Sequence, residues 1–334
     1  MKKKILLSLA LLIVFGIALT IIRYDAWFRN LPEPPYKITS PQNHVLTFSP
    51  DSSLVLTWRD SGTTFKSLGG SASFHEKRIA DITPSCRHIL VLGDIQDRDE
   101  RQALVTQSLL RNIVSIHHPE AILQLGDLIE RPMQCAWDRF SIAFDSIDTV
   151  IPVIPILGNH DYLKGLIHKA ERRPFLVFPY LNQTDIAACA HLTLCPDTLD
   201  IFIVDSNRDV FNLFKQASWL ENELRKSNAK FKILLSHHPL YSTRFPLNNI
   251  FVRLAFSSVA AGNGVCLVLT GHEHTFSHTF HSFHQLVTHF SAKSYDNSDN
   301  RYYTILDIQD NTLKVNIFDK NNSPIESFSI ISEK

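Results

Sequence analysis

The sequence predicts an α/β domain of the layered type, and three observations support this fold class. Six short apolar runs between residues 88 and 271 have the length and composition of buried strands. Patterns typical of helices lie between several of these runs. After Gln285 the chain contains four further strand-like runs in succession. Alternation of strands and helices is typical of α/β domains, and the final runs predict a β-rich C-terminal part.

The predicted elements follow in order along the chain. The buried strands are HILVLG (88–93), AILQLG (121–126), VIPVIPILG (150–158), IFIVD (201–205), FKILLS (231–236) and VCLVLTG (265–271). A helix is predicted after the N-cap residue Asp99, with apolar positions at Leu104, Leu109, Ile113 and Ile116. A second helix is predicted at residues 217–226, ASWLENELRK. The C-terminal strands are LVTHF, YYTILDI, LKVNIF and IESFSII.

Charge and composition exclude several classes of protein. The 334 residues include 33 Lys and Arg, 33 Asp and Glu and 16 His, and an apolar content of 44% excludes wholesale disorder. Residues 1–22 carry three Lys and no acid, so the rest of the chain has 30 basic and 33 acidic groups, a formal charge of −3. Binding to a phosphate backbone requires clustered Lys and Arg. A nucleic-acid partner is therefore not expected.

The N-terminus has the pattern of a membrane-directing segment. Three lysines, residues 2–4, precede an uncharged run (5–22), whose length as a helix is about 27 Å, close to the hydrocarbon thickness of a bilayer. We expect an uncleaved signal-anchor over residues 1–22, with a cytoplasmic N-terminus and an exported body. Two alternatives stay open. One is a signal peptide cleaved at Gly16-Ile17-Ala18, which gives a secreted or periplasmic protein, and the other is a buried core helix.

The rest of the chain divides into three predicted parts. Residues 23–43 contain four prolines and predict a stalk. Residues 44–87 predict a short β-rich extension with strands at His44–Phe48 and Leu54–Trp58. Residues 88–334 form the main domain.

The five cysteines do not indicate a structural zinc site, because no two of them form a CxxC pair. Cys189 and Cys195 are near enough in sequence to close a small disulfide loop if the chain is exported. Free thiols in a folded domain are the alternative.

Five of the six buried strands end in clusters of potential metal ligands. The clusters are Gly93-Asp94-Ile95-Gln96, Gly126-Asp127-Leu128-Ile129-Glu130, Gly158-Asn159-His160-Asp161, Ser236-His237-His238-Pro239 and Gly271-His272-Glu273-His274. Each cluster alone is ordinary in a turn. Open α/β sheets bind ligands at the carboxyl ends of their strands, where rigid elements hold the side chains. The five clusters together therefore predict one shared site.

This ordered set resembles the calcineurin-like metallophosphoesterase superfamily over roughly residues 88–290. The flanking segments GNHDYLKG and WLENELRKSNAKFKILLSHHPLYS are similar to the purple acid phosphatase branch. The resemblance implies a four-layer α/β/β/α sandwich and hydrolysis of a phosphate ester by a hydroxide that bridges two metal ions.

The resemblance also implies a role for each site residue. One metal is assigned to Asp94, Gln96, Asp127 and His274, and the second to Asp127, Asn159, His237 and His272. His160 is the expected non-ligand catalytic residue, and Asp161 is expected to orient its imidazole. Carboxylate, amide and imidazole ligands suit two divalent ions of Mn, Fe or Zn, among which Mn is favoured.

Two positions depart from the family pattern. Gln96 occupies a place where many members have His, and a neutral amide oxygen is a weaker ligand. Glu130 occupies the place of the purple acid phosphatase Tyr, three residues after Asp127. A divalent pair is therefore expected rather than an Fe³⁺–tyrosinate centre.

The function expected from the sequence is that of a membrane-anchored, dinuclear metal phosphoesterase. The substrate class stays open between a phosphomonoester and a phosphodiester or pyrophosphate, either a small molecule or a lipid-linked or nucleotide-linked compound. The alternative is an inactive scaffold of the same fold tethered to the membrane. Such a scaffold is expected to lack the bridging Asp or the non-ligand His, whereas Asp127 and His160 are both present.

Overall fold

The computed structural model describes residues 14–16, 18–19, 44–47, 58–60, 63–65, 77–78, 86–131, 134–144, 151–162, 189–244, 249–292 and 299–332. Of the predicted membrane-crossing run, residues 14–16 and 18–19 are helical. The rest of that run and the predicted stalk lie outside the described residues. Within the described part of the chain, no helix has both the length and the apolar character needed to span a membrane.

The described residues form sixteen strands and five labelled helices. The strands are β1 (His44–Thr47), β2 (Trp58–Asp60), β3 (Thr63–Phe65), β4 (Lys77–Arg78), β5 (His88–Leu92), β6 (Ala121–Gln124), β7 (Pro152–Pro155), β8 (Ala190–Cys195), β9 (Leu199–Val204), β10 (Phe231–Ser236), β11 (Val265–Thr270), β12 (Ser277–Phe280), β13 (His284–Val287), β14 (Tyr302–Gln309), β15 (Thr312–Asp319) and β16 (Pro324–Ile331). The helices are α1 (Glu100–His117), α2 (Gln134–Phe144), α3 (Asn159–Tyr162), α4 (Val210–Lys226) and α5 (Ile250–Gly262).

Two sheets contain most of these strands. The first has the order β16-β15-β14-β5-β6-β7-β1-β4, and the second has the order β12-β13-β11-β10-β9-β8. Strands β5, β6 and β7 are parallel in the first sheet, and β9, β10 and β11 are parallel in the second. These six are the predicted buried strands, three in each sheet. Their carboxyl ends lie at one edge of each sheet, which places the polar clusters there.

The two sheets pack against each other through a shared apolar core. One cluster of buried residues includes Leu123 and Val153 of the first sheet together with Ile233 and Leu267 of the second. Alternate side chains of the second sheet, such as Leu234, belong to another cluster with residues of α4 and α5. Side chains alternate across a strand, so the second sheet lies between the first sheet and these helices. The predicted α/β sandwich is confirmed at this level.

Helix α1 begins after Asp99, whose side chain accepts a hydrogen bond from the Gln102 backbone N–H as predicted for an N-cap. The predicted apolar face is wrong in part, because Leu104 and Ile116 are about half exposed. The buried positions are Ala103, Thr106, Leu110 and Ile113. The Thr106 hydroxyl contacts the Asp97 carboxylate and the buried Arg301 guanidinium, so a polar contact helps to set the buried face.

Other elements differ from the prediction in their bounds. Helix α4 begins at Val210, seven residues before the predicted start, because Asp209 caps it through the Asn212 backbone N–H. The four described cysteines are free thiols. Of the two readings for Cys189 and Cys195, the structure therefore has the unpaired one, and the Cys189 thiol donates to Gln216 Oε1.

Candidate metal centre

The loops that follow the parallel strands turn sharply at the predicted ligands. Four of these residues have backbone φ angles in the left-handed region, which residues other than glycine seldom adopt. They are Gln96 (46°), Asp127 (51°), His272 (70°) and His274 (48°). Such strained backbone is found where the surrounding structure holds a functional geometry. The sharp turns allow consecutive clusters to meet above the sheet edge.

Two glycines permit the loops to approach closely. A Cβ atom at Gly158 would lie 2.2 Å from both the backbone N and the carboxylate Oδ1 of Asp127. Gly126 has a φ of 85°, and a Cβ atom there would lie 2.8 Å from His237 Nδ1. The Gly-Asp and Gly-Asn patterns are therefore required by contacts between loops from different strands.

Asp94, Asp127 and His237 form the centre of the site, and each is at most 1% exposed. One ligand atom from each lies within 4.8 Å of the others. His237 Nε2 lies 3.4 Å from Asp127 Oδ2, and His237 Nδ1 lies 3.8 Å from Asp94 Oδ1. The Leu125 carbonyl accepts a hydrogen bond from His237 Nδ1 at 2.9 Å. This contact leaves Nε2 as the ring atom able to bind a cation.

Asn159 and His272 complete one side of this centre. Asn159 Oδ1 lies 3.1 Å from His237 Nε2 and 3.0 Å from His272 Nδ1, so the amide oxygen joins both imidazoles. The His272 backbone N–H donates to both carboxylate oxygens of Asp94, at 3.1 and 3.0 Å. The predicted ligands of the second metal are therefore brought together.

Gln96 and His274 lie on the other side. Gln96 Nε2 donates to Asp127 Oδ2 at 2.8 Å, while Gln96 Oε1 is a buried oxygen without a hydrogen-bond partner among the described residues. His274 is buried, and its charge favours the ionised form of Asp94. The ring of His289 lies beside that of His274, with centroids 6.0 Å apart.

Burial and charge shift the pKa values of these groups in opposite directions. Burial raises the pKa of Asp94, whereas the Asp127 pKa lies well below its usual range because His237 and His160 outweigh the effect of burial. Burial also opposes the charged form of His237, but the two carboxylates raise its pKa to about 9. Burial and the neighbouring His237 lower the His272 pKa to about 3. The paired carboxylates therefore attract positive charge strongly, a role in which a cation can replace the proton.

The prediction that Asp161 orients the His160 ring is wrong. His160 Nδ1 hydrogen-bonds to the Glu130 carbonyl at 2.8 Å, and the His160 backbone N–H donates to Asp127 Oδ1 at 2.7 Å. The buried Asp161 carboxylate instead accepts three backbone N–H bonds from two loops, those of Leu128, Ile129 and Gly158. Three backbone donors occupy its two oxygens, so Asp161 holds the loops together.

Sequence reasoning missed two residues that shape the site. Gln124 is buried at the end of β6, where its amide donates to the carbonyls of Gly93 and Gly126 and accepts from the Gly126 N–H. Ser206 follows β9, the one buried strand without a ligand cluster, and its hydroxyl contacts His238. The sequence contained two signals that could have identified them: an amide residue inside an apolar strand, and a polar residue at the end of the fourth strand.

The donor set fits a pair of divalent cations. Carboxylate oxygens, amide oxygens and imidazole nitrogens of intermediate hardness converge, and the described part of the centre contains no thiolate. The buried Gln96 Oε1 offers an acceptor that no described group uses, and buried acceptors are normally satisfied.

Comparison with known proteins agrees with this chemistry. A family model described as calcineurin-like phosphoesterase matches residues 87–276. Purple acid phosphatase 3 of Arabidopsis thaliana is 23% identical over 158 residues, 42% of this chain and 43% of that protein. Purple acid phosphatase 4 of the same plant is 25% identical over 155 residues, 42% of this chain and 46% of that protein. The chain thus spans less than half of the length of these two relatives.

Solved structures show the same fold at low sequence identity. A dimetal phosphatase from Danio rerio has a TM-score of 0.57 and 12% identity, with 74% of this chain and 99% of that chain covered. GAP50, described as the anchor in the inner membrane complex of Plasmodium, has a TM-score of 0.56 and 14% identity, with 75% of this chain and 90% of that chain covered.

Proposed function

Because the chain belongs to the calcineurin-like phosphoesterase family, we propose that it hydrolyses a phosphate ester with the help of two divalent metal ions. One observation carries the proposal. Ligand atoms of Asp94, Asp127 and His237 lie within 4.8 Å of one another in a fully buried setting. Two carboxylates at this separation repel each other unless a cation lies between them.

Seven side chains would hold the two ions: Asp94, Gln96, Asp127, Asn159, His237, His272 and His274. When bound, the ions supply positive charge to the phosphate oxygens and lower the pKa of water. We propose Mn²⁺ as the preferred ion because four of the seven donors are carboxylate or amide oxygens and the others are imidazoles.

His160 is proposed to act on the leaving group. The Glu130 carbonyl is only an acceptor, so it holds the proton of His160 Nδ1 and fixes the ring. In the protonated ring, which carries a proton on each nitrogen, Nε2 is then the atom that gives a proton or a hydrogen bond to the departing oxygen. The His160 backbone N–H also donates to Asp127 Oδ1, which joins the loop that carries this ring to the carboxylate that both ions would share.

Asp161 is proposed as a positioning residue. Its contacts join the loop after β6 to the loop after β7, and these loops carry Asp127 and Asn159. Holding reacting groups in a fixed geometry contributes substantially to catalysis.

The proposed substrate is a small phosphate monoester, which the likeness to the two plant phosphatases supports. Gln96 and a location at a membrane favour a phosphodiester or pyrophosphate instead, including lipid-linked or nucleotide-linked compounds. Comparing hydrolysis of p-nitrophenyl phosphate with that of its bis ester distinguishes the two classes.

Membrane anchoring is proposed on the basis of three lysines followed by an uncharged run of bilayer length. The catalytic domain is then on the exported side. Fractionation of cells that express the full chain tests the anchor, and protease access to intact cells or spheroplasts tests the side.

The hydrolytic function is tested with the full chain in detergent, saturated with Mn²⁺ and assayed on a panel of phosphomonoesters, phosphodiesters and pyrophosphates. Asp94→Asn and His237→Ala are expected to abolish turnover and to lower the metal content below two equivalents. Asp197→Asn is the matched control, because Asp197 lies in an exposed turn at a φ of 56°, which Asn tolerates. Activity that survives both site substitutions, or absence of turnover by the wild-type protein across the panel, contradicts the proposal.

A further inference from the structure

The strand without a ligand cluster still contributes to the centre. Ser206, two residues after the end of β9, is fully buried and makes two contacts with His238, which follows the neighbouring strand β10. Its Oγ accepts the His238 backbone N–H at 3.0 Å and lies 2.9 Å from His238 Nδ1. The Ser236 hydroxyl in turn donates to the His238 carbonyl at 2.9 Å. Backbone and ring of His238 are both fixed.

The His238 ring lies beside the metal centre. One ring nitrogen from each of His237, His238 and His272 lies within 4.8 Å of the others. The ring centroid of His238 is 4.2 Å from that of His272 and 5.0 Å from that of His237. Ser206 occupies Nδ1, so Nε2 is the His238 atom that remains for another partner.

The Ser206 hydroxyl decides which nitrogen of His238 carries the proton. Its oxygen already accepts the backbone N–H, and its single proton needs an acceptor. His238 Nδ1, at 2.9 Å, is the acceptor that the contacts of this hydroxyl supply. A neutral ring that accepts at Nδ1 carries its proton on Nε2. In this tautomer Nε2 has no lone pair for a metal ion, but it is a hydrogen-bond donor.

We propose that Ser206 holds His238 as an Nε2–H donor to an oxygen of the bound phosphate, and that His238 is not a third imidazole ligand of the metals. The inference rests on the proposed function, because it requires a phosphate group at the centre. A neutral donor aimed at a phosphate oxygen stabilises negative charge there without a change of protonation.

The first test determines the tautomer in the metal-free full chain in detergent, labelled with ¹⁵N-histidine. The spectrum of His238→Gln identifies the signals of His238 by their loss. The expected result is an unprotonated Nδ1 and a protonated Nε2, with the preference weakened in Ser206→Ala and retained in Ser206→Thr. A proton on Nδ1 in the wild-type protein overturns the inference.

The second test uses inorganic phosphate as the probe and calorimetry on the Mn²⁺-loaded full chain. Gln places its amide near the position of Nε2 and keeps a donor there, whereas the shorter Asn reaches only Ser206. A hydrogen bond to a charged group is worth about 1.5–3 kcal/mol, which corresponds to a loss of phosphate affinity of roughly tenfold or more in His238→Asn. The phosphate affinity of His238→Gln is expected to stay within about threefold of wild type, because the Gln amide keeps a neutral hydrogen-bond donor near the position of Nε2.

Metal analysis of the same variants separates the donor from a ligand. Two equivalents per chain in both variants support the inference, and loss of an equivalent in His238→Asn overturns it. Equal phosphate affinity of the Asn and Gln variants also overturns it. None of these measurements uses turnover, so failure of the proposed hydrolysis and failure of this inference are separate results.

Discussion

Replacing Asp161 with Ala is expected to separate the two central loops of the candidate metal centre. The Asp161 carboxylate accepts backbone N–H bonds from Gly158 at 2.8 Å, Leu128 at 3.0 Å and Ile129 at 3.4 Å. The side chain is fully buried, so the three N–H groups have no water to replace it. The variant therefore leaves buried donors without acceptors.

The magnitude follows from these three bonds. Each buried donor left without an acceptor costs about 1–3 kcal/mol, and the bond of 3.4 Å contributes least, which gives roughly 3–5 kcal/mol. Burial also raises the pKa of Asp161, so removing the carboxylate relieves part of the cost of burying a charge. The net loss in the free energy of unfolding is then about 2–4 kcal/mol. For a domain of this size the corresponding fall in Tm is roughly 4–16 °C.

Thermal and urea unfolding of the metal-free full chain in detergent measure this loss. Asp209→Ala is the matched control, because the Asp209 carboxylate accepts one backbone N–H, at the N-terminus of α4. Loss of such a cap costs about 1 kcal/mol. The Asp161 variant is also expected to bind Mn²⁺ more weakly, since Asp127 and Asn159 lose their common support. Equal destabilisation by the two variants, or unchanged Mn²⁺ affinity in Asp161→Ala, refutes the reasoning.

Three further predictions concern other side chains of the protein. Burial opposes protonation of His191, but contacts of its ring with the carboxylates of Asp200 and Glu223, each at 3.1 Å, raise its pKa. The same contacts lower the pKa of Asp200, and Lys226 together with His191 lowers that of Glu223. The stabilisation that comes from the raised pKa of His191 is complete below pH 6.5 and is lost as the pH rises through the folded-state pKa of this residue. The stabilisation that comes from the lowered pKa values of the two acids is lost as the pH falls below about 4. His191→Gln should therefore destabilise most at about pH 4.5–6.5, and an equal effect at pH 9 in urea unfolding would contradict this. Lys232→Met removes the ammonium that donates to carbonyls at the C-terminal ends of α4 and α5. This substitution should lower the free energy of unfolding by about 1–3 kcal/mol in the same assay, whereas Lys230→Met on the surface should change it little. Gln96→Ala is expected to lower the metal content to one equivalent by elemental analysis and Gln96→His to restore two, whereas two equivalents in the Ala variant would remove Gln96 from the ligand set.

The predicted strands and the predicted convergence of polar clusters agree with the structure because both depend on local sequence. Apolar runs such as 88–92 and 231–236 form buried parallel strands within two mixed sheets, and the polar residues that follow them lie at one edge. The face of α1 differed from its apolar periodicity because Thr106 bonds to Asp97 and Arg301, and Arg301 lies 195 positions away in sequence. Periodicity contains no information about such a partner.

Asp161 and His238 show the same limit inside the site. Both lie next to predicted functional residues, and adjacency in sequence led to the prediction that Asp161 contacts the His160 ring. The partner of Asp161 is instead the loop after β6, and that of His238 is Ser206, 32 positions away. The roles of such side chains depend on which loop packs against them.

By itself the sequence determined the fold class, the types of candidate metal ligand and their places at strand ends, because apolar runs select buried strands and the chain direction then puts the following residues at one edge. Only the tertiary structure decided which of these side chains touch. The contact of His237 Nδ1 with the Leu125 carbonyl spans 112 positions, and that of the His272 backbone with Asp94 spans 178. Such contacts depend on how the two sheets pack and on the register of their strands, which no short segment of the chain encodes.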